Sequence, residues 1–114
     1  MIKNQTDYER LFVEYEILLH SLDPVPDKIL LDIENKIQEY ESTMNITPTG
    51  IEHACLMSLL LEKSHLTQSG LADALDVSQP LINRILKGNV KISKKLARKL
   101  AAYFRLDLKL FGSL

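Results

Sequence analysis

The stretch TQSGLADALDVSQPLINRILKG, from Thr67 to Gly88, restricts what this chain can become more than any other. It reads as two short helices and a turn. Leu71, Ala72 and Leu75 give the first helix an apolar face. Ile82, Ile85 and Leu86 give one to the second, at three- and four-residue steps. Asp76 stands where the first helix must stop, and aspartate is among the few non-glycine residues that tolerate left-handed backbone there. Val77 can drop into the angle between the helices. Thr67 is the expected N-cap of the first helix and Ser78 of the second, which then starts at Gln79. Pro80 falls in that helix's first turn, where its missing N–H costs nothing, because those amides have no intrahelical partner. Ser78 is therefore expected to cap through the amide of Leu81.

Gln79, Pro80, Asn83, Arg84 and Lys87 share the face of the second helix opposite its apolar residues. That face carries no acid. Glutamine can bond adenine through two hydrogen bonds, and arginine can do the same with guanine. A solvated helix face can have this composition too. The turn, cap and charge pattern around it point to DNA contact.

The same stretch closely resembles the helix-turn-helix of the phage-repressor-like (XRE) family. The matching features are Gln68, Leu71-Ala72, the turn position at Asp76, Val77-Ser78-Gln79, Ile82, Ile85-Leu86 and Gly88. It departs at Asp76, where the family usually has glycine, at Leu81, where a small polar residue is common, and at Gly70 inside the first helix. The resemblance implies a second helix lying in the major groove. It implies Gln79, Asn83 and Arg84 as base readers, with Gln68 and Ser78 on phosphates.

The net charge of −1 hides a division. Residues 1–47 carry four Lys/Arg against ten Asp/Glu, a net of −6, and residues 48–114 carry ten against five, a net of +5. A basic half suits a polyanion; an acidic half suits something else. The chain is accordingly expected to divide into an acidic helical hairpin, 1–47, and a DNA-binding domain, 48–114. There is no run of apolar residues long enough for a membrane span and no signal-peptide pattern at MIKNQTDYER. The lone cysteine, Cys55, suits a reducing compartment. A cytoplasmic, nucleoid-associated protein is expected.

Along the chain, Thr6 and Glu9 have capping-box spacing, so helix 1 is expected to start there. Tyr8, Leu11, Phe12, Tyr15, Leu18 and Leu19 form its apolar stripe, and the run Asp23-Pro24-Val25-Pro26-Asp27 ends it. Helix 2 is expected from about Asp27 to Thr43, with Ile29 or Leu30, Ile33, Ile37 and Tyr40 on one face and acids elsewhere. Two such helices make an antiparallel hairpin too small to bury both stripes alone. They must pack on the C-terminal half, on a second copy or on another protein. A second capping box, Thr49 and Glu52, starts a nearly all-apolar helix 3 that should be buried centrally. After Gly88 and Asn89, Ser93 caps a helix running to about Phe104, seamed by Leu96, Leu100 and Phe104. Lys94 and Lys95 lie in its first turn, the wrong sign for the helix dipole. A phosphate bound there, with Lys91 beside it, would account for them; two solvated lysines are the alternative. Leu108, Leu110 and Phe111 are expected to fold back on the core.

Catalytic and cofactor signatures are missing: no phosphate-binding glycine loop, no G-x-S-x-G, no H-E-x-x-H. His53 and Cys55 lie two apart on a helix and cannot share a metal. Cys55 is expected to be a buried small hydrophobe. No cofactor, no metal and no enzymatic activity are expected.

The order IKNQTDYERLFVEYEILL, IENKIQEYEST, apolar helix, C-terminal helix-turn-helix is similar to that of HigA-type antitoxins over nearly the whole chain. That resemblance implies an all-α protein with an N-terminal helical hairpin and a lambda-repressor-like domain. It implies a homodimer on a palindromic operator, and pairing with an mRNA-cleaving toxin. A stand-alone phage-type repressor and a helix-turn-helix protein-interaction module are the two rival readings.

Overall fold

A computed structural model describes residues 2, 4–44 and 52–112. Among them run seven helices and no strand, as the all-α reading requires: α1 (Gln5–Leu19), α2 (Asp27–Met44), α3 (His53–Ser64), α4 (Gln68–Leu75), α5 (Gln79–Leu86), α6 (Lys94–Phe104) and α7 (Lys109–Gly112). Thr49 of the second expected capping box lies outside the described residues. Glu52 occupies the N-cap position of α3 without a side-chain cap bond.

The start of α1 corrects the sequence reading. Its N-cap is Asn4, not Thr6; Asn4 Oδ1 accepts the Asp7 N–H at 2.9 Å. Asparagine is at least as good a cap as threonine, and the earlier start keeps Asp7 in the first turn, where its charge suits the dipole.

The core forms around α3. Leu56, Met57 and Leu60 have no exposed surface, because α1, α4 and α5 all pack on this helix. Leu71 and Leu75 of α4, Ile82 and Ile85 of α5, Leu96 and Leu100 of α6, and Leu110 and Phe111 of α7 complete the cluster. Leu108 does not join it as expected: it is 46% exposed. Asp107 and Leu108 form the turn into α7, with Leu110 N–H bonding back to the Asp107 carbonyl, so the chain turns inward only at Leu110. Cys55 is half-buried against this core rather than fully enclosed. Burial raises its thiol above the ordinary value and keeps it protonated.

Of the three possible covers for the hairpin, α1 takes the C-terminal half. Val13 and Ile17 belong to the main core. The turn after α1 is tied to the end of α6 by two backbone bonds, Leu22 N–H to Arg105 O at 2.8 Å and Asp107 N–H to His20 O at 2.7 Å. Arg10–Glu62 and Lys63–Glu14 bridge α1 to α3 at 2.8 and 2.7 Å, and Arg105–Asp23 joins the turn at 3.0 Å. These pairs are largely exposed, so the apolar contacts dominate.

Helix α2 packs on the other side of α1 around a second, smaller cluster of Tyr8, Ile33 and Ile37. Tyr8 stacks on Tyr40 at 5.1 Å and donates to Glu41 at 2.6 Å. Burial first, then that hydrogen bond, push its phenol well above the ordinary value. Burial and a hydrogen bond to Glu34 raise Tyr15 in the same sense. Two of the acids on α2 thus serve the inside of the hairpin.

Candidate nucleic-acid interface

Helices α4 and α5 form the expected unit, built by local devices. Thr67 accepts the Gly70 N–H at 3.0 Å and starts α4. Asp76 is left-handed, with φ at 56°, and ends it. The Asp76 and Val77 amides turn back to the carbonyls of Asp73 and Ala72, at 3.2 and 2.9 Å. This is the usual close of a helix around a left-handed residue. Val77 packs against the core, in the angle where the sequence places it.

The start of α5 brings a second correction. Ser78 holds the N-cap position in extended backbone, and Pro80 lies in the first turn, but the serine hydroxyl makes no cap bond. With Pro80 lacking an N–H and no cap at Leu81, the first turn of α5 keeps polar groups available to a ligand. Ser78 is exposed, as a phosphate donor must be.

The outward face of α5 is as the sequence implies. Gln79, Pro80, Arg84 and Lys87 are exposed, while Ile82 and Ile85 are fully buried beneath them. Asn83 is half-buried and donates to Gln68 Oε1 at 3.2 Å. One amide hydrogen of Asn83 is thereby committed. Its carbonyl oxygen and second hydrogen remain, which is the acceptor-plus-donor pair that adenine requires. Gln68 in turn keeps its own amide hydrogens for a phosphate. The sequence placed these two residues in different roles; the fold makes one the support of the other.

Gly88 ends α5 at a φ of +79°. Its amide and that of Asn89 bond back to Ile85 and Arg84, at 3.0 and 2.9 Å. Nothing lies within 4 Å of where a Cβ would stand, so substitution meets strain in the backbone alone. Gly88→Ala is expected to cost about 1 kcal/mol, read as a lower urea midpoint with an unchanged slope.

Beyond Gly88, Asn89, Lys91, Lys94 and Lys95 are all exposed. Ser93 caps α6 through the Leu96 N–H at 3.2 Å, as expected, and the two lysines stand in that first turn. From Val77 to Leu106 the chain has eight cations and no acid. Among the described residues Arg84, Lys87, Lys91, Lys94 and Lys95 make no salt bridge, whereas Arg10, Lys36, Lys63 and Arg105 each have a carboxylate partner. Among the described residues, most cations of the hairpin and of the segments packed on it are paired, while those beside α5 are not. Lys99, which the sequence did not single out, donates to the Asp76 carbonyl at 3.1 Å and braces the turn from α6.

Residues 57–111 match the family model described as Helix-turn-helix (HTH_3). Residues 57–111 are an XRE-type helix-turn-helix domain. The matched stretch begins inside α3 and ends in α7, and α1 and α2 lie outside it. Domains of this kind are DNA-binding modules of transcription regulators. No curated protein and no solved structure matches the chain. Among the described residues no cluster of His, Cys, Asp or Glu could hold a metal ion, and no helix is long and apolar enough to cross a membrane.

Proposed function

We propose that this chain is a sequence-specific operator-binding repressor that doubles as the antitoxin of a toxin–antitoxin pair of the HigA type. The observation that carries the DNA-binding part is the acid-free stretch from Gln79 to Lys95, whose five cations make no salt bridge among the described residues. Uncompensated cations beside a rigid helix bearing Gln, Asn and Arg fit a phosphate backbone with bases between. A homodimer would present two α5 helices about one DNA turn apart, roughly 34 Å, on a palindromic site. Gln79, Asn83 and Arg84 read bases. Gln68, Ser78, Lys87, Asn89, Lys91, Lys94 and Lys95 hold the backbone, and Pro80 rests against it.

The division into an acidic hairpin, 1–47, and a basic domain, 48–114, supports a second partner. On α2, Ile29 and Leu31 are 47% and 58% exposed, among acids that the inside of the hairpin does not use. Exposed apolar residues on a helix of net negative charge suit a small basic protein, here an mRNA-cleaving toxin.

Co-expression with the neighbouring gene tests this reading. The chain is expected to co-purify with a small basic protein, and to shift a duplex taken from its own promoter more strongly at low salt. If it purifies alone yet still binds that duplex, a stand-alone repressor is the right description. Weak binding that ignores salt would instead mark a protein-interaction module.

A further inference from the structure

The loop between α5 and α6 carries Lys87, Asn89 and Lys91, and delivers Lys94 and Lys95 to the start of α6. Its near end is fixed by the left-handed Gly88. Its far end is fixed by a side chain 39 residues earlier: the Ile92 N–H donates to His53 Nδ1 at 2.7 Å. Among the described residues the amides of Val90 and Lys91 make no backbone hydrogen bond, and beyond them the Ile92 side chain is buried in the main core, so the His53 bond fixes the backbone where the cationic segment meets that anchor.

A backbone N–H can only donate. Nδ1 must therefore be bare, and the ring neutral with its proton on Nε2. A second proton would set a donor against a donor. His20 is the opposite case: its Nδ1 faces the Glu16 carbonyl at 2.8 Å, which can only accept, so that nitrogen is the donor.

The surroundings of His53 favour the neutral ring. It is half-buried at the start of α3. Burial first, then the charge of Lys91 on the loop, lower its pKa below the ordinary value. Glu52, the N-cap residue of α3, is the neighbouring carboxylate in sequence, and Lys91 is the charge on the loop that acts on the ring. The sign follows. Above a pH of about 6.5, the unfolded value, the ring is neutral in both states and stability is complete. As the pH falls from there towards the lowered folded pKa, the unfolded chain takes the proton first and stability declines.

We propose that His53 is a positioning residue for phosphate contact: its neutral imidazole pins Ile92, and so holds Lys91, Lys94 and Lys95 in place, while its protonation frees the loop and weakens DNA binding. This rests on the duplex-DNA reading above. The direction of the pH effect is diagnostic. A histidine that merely gained charge near phosphates would strengthen binding in acid; a lost pin weakens it.

The test compares wild type with His53→Asn, which keeps an acceptor but cannot titrate, and His53→Leu, which has none. The probe is a random-sequence 30-base-pair duplex at fixed salt, with amide NMR of the free proteins in parallel. At neutral pH His53→Leu is expected to bind roughly three- to tenfold more weakly, and His53→Asn close to wild type. As the pH is lowered stepwise below about 6.5 until the ring has taken up its proton, wild type is expected to lose affinity relative to His53→Asn, with the Ile92 amide shifting in step with the ring. A wild-type gain on His53→Asn in acid, or equal profiles, overturns the proposal. So does an Ile92 amide equally protected from exchange in folded His53→Leu. Absence of duplex binding by all three at neutral pH overturns the DNA reading and the positioning role with it, whatever Ile92 does.

Discussion

Ile85→Ala is expected to lower the unfolding free energy by about 2–5 kcal/mol, because it empties a fully buried position without letting the site collapse. Ile85 lies on the underside of α5, against α3. A helix of eight residues is far too short to persist alone in water, so the rigidity of the outward face is borrowed from this contact. A domain of this size is stable by only about 5–15 kcal/mol, so the loss takes a large share of the whole. Ile85→Val keeps most of the volume and is expected to cost about 0.5–1.5 kcal/mol. Urea unfolding of the two variants, followed by circular dichroism, gives both numbers. A cost below about 1 kcal/mol for the alanine variant would mean that α5 is held by something other than its burial on α3.

That α5 was readable in advance, and its support only partly so, follows from the range of the forces involved. Thr67, Asp76, Val77 and Pro80 act on amides within one turn of themselves, and such short-range choices are written in the local order of residues. The start of α1 is also local. There, however, Asn4 and Thr6 compete within half a turn for similar gains, and spacing alone selected the wrong one. The role of His53 has no local trace, since its partner lies 39 residues away. The same holds for the ties of the hairpin turn to Leu106 and its neighbours, and for the bond by which Gln68 orients Asn83. The outward face of α5 was legible as a pattern of residue types. The missing Ser78 cap was not, because it depends on how a proline sits in the first turn. The acids of α2 likewise divide between Tyr8, Tyr15 and solvent according to packing that periodicity does not resolve.

Arg84→Ala and Lys95→Ala are expected to fail in different ways, and the difference separates base reading from backbone grip. Arg84 is exposed on the same outward face as Asn83, whose side chain is braced by Gln68. If it bonds a guanine edge, its loss costs about 1–3 kcal/mol on the preferred sequence and little on sequences altered at that one base pair, so selectivity there collapses. Lys95 stands in the first turn of α6, where the helix N-terminus and a lysine together suit a phosphate. Its loss should weaken every duplex alike, and reduce the dependence of log affinity on log salt by about one unit, as one fewer counterion is released. Both substitutions remove a cation that makes no salt bridge among the described residues, so neither leaves a carboxylate stranded in the protein. Titrations of both variants against a selected operator and single-base variants of it, at several salt concentrations, separate the two roles. Equal, sequence-blind losses from both would mean that α5 supplies charge to the backbone and reads nothing, and the recognition surface would then have to lie elsewhere on the domain.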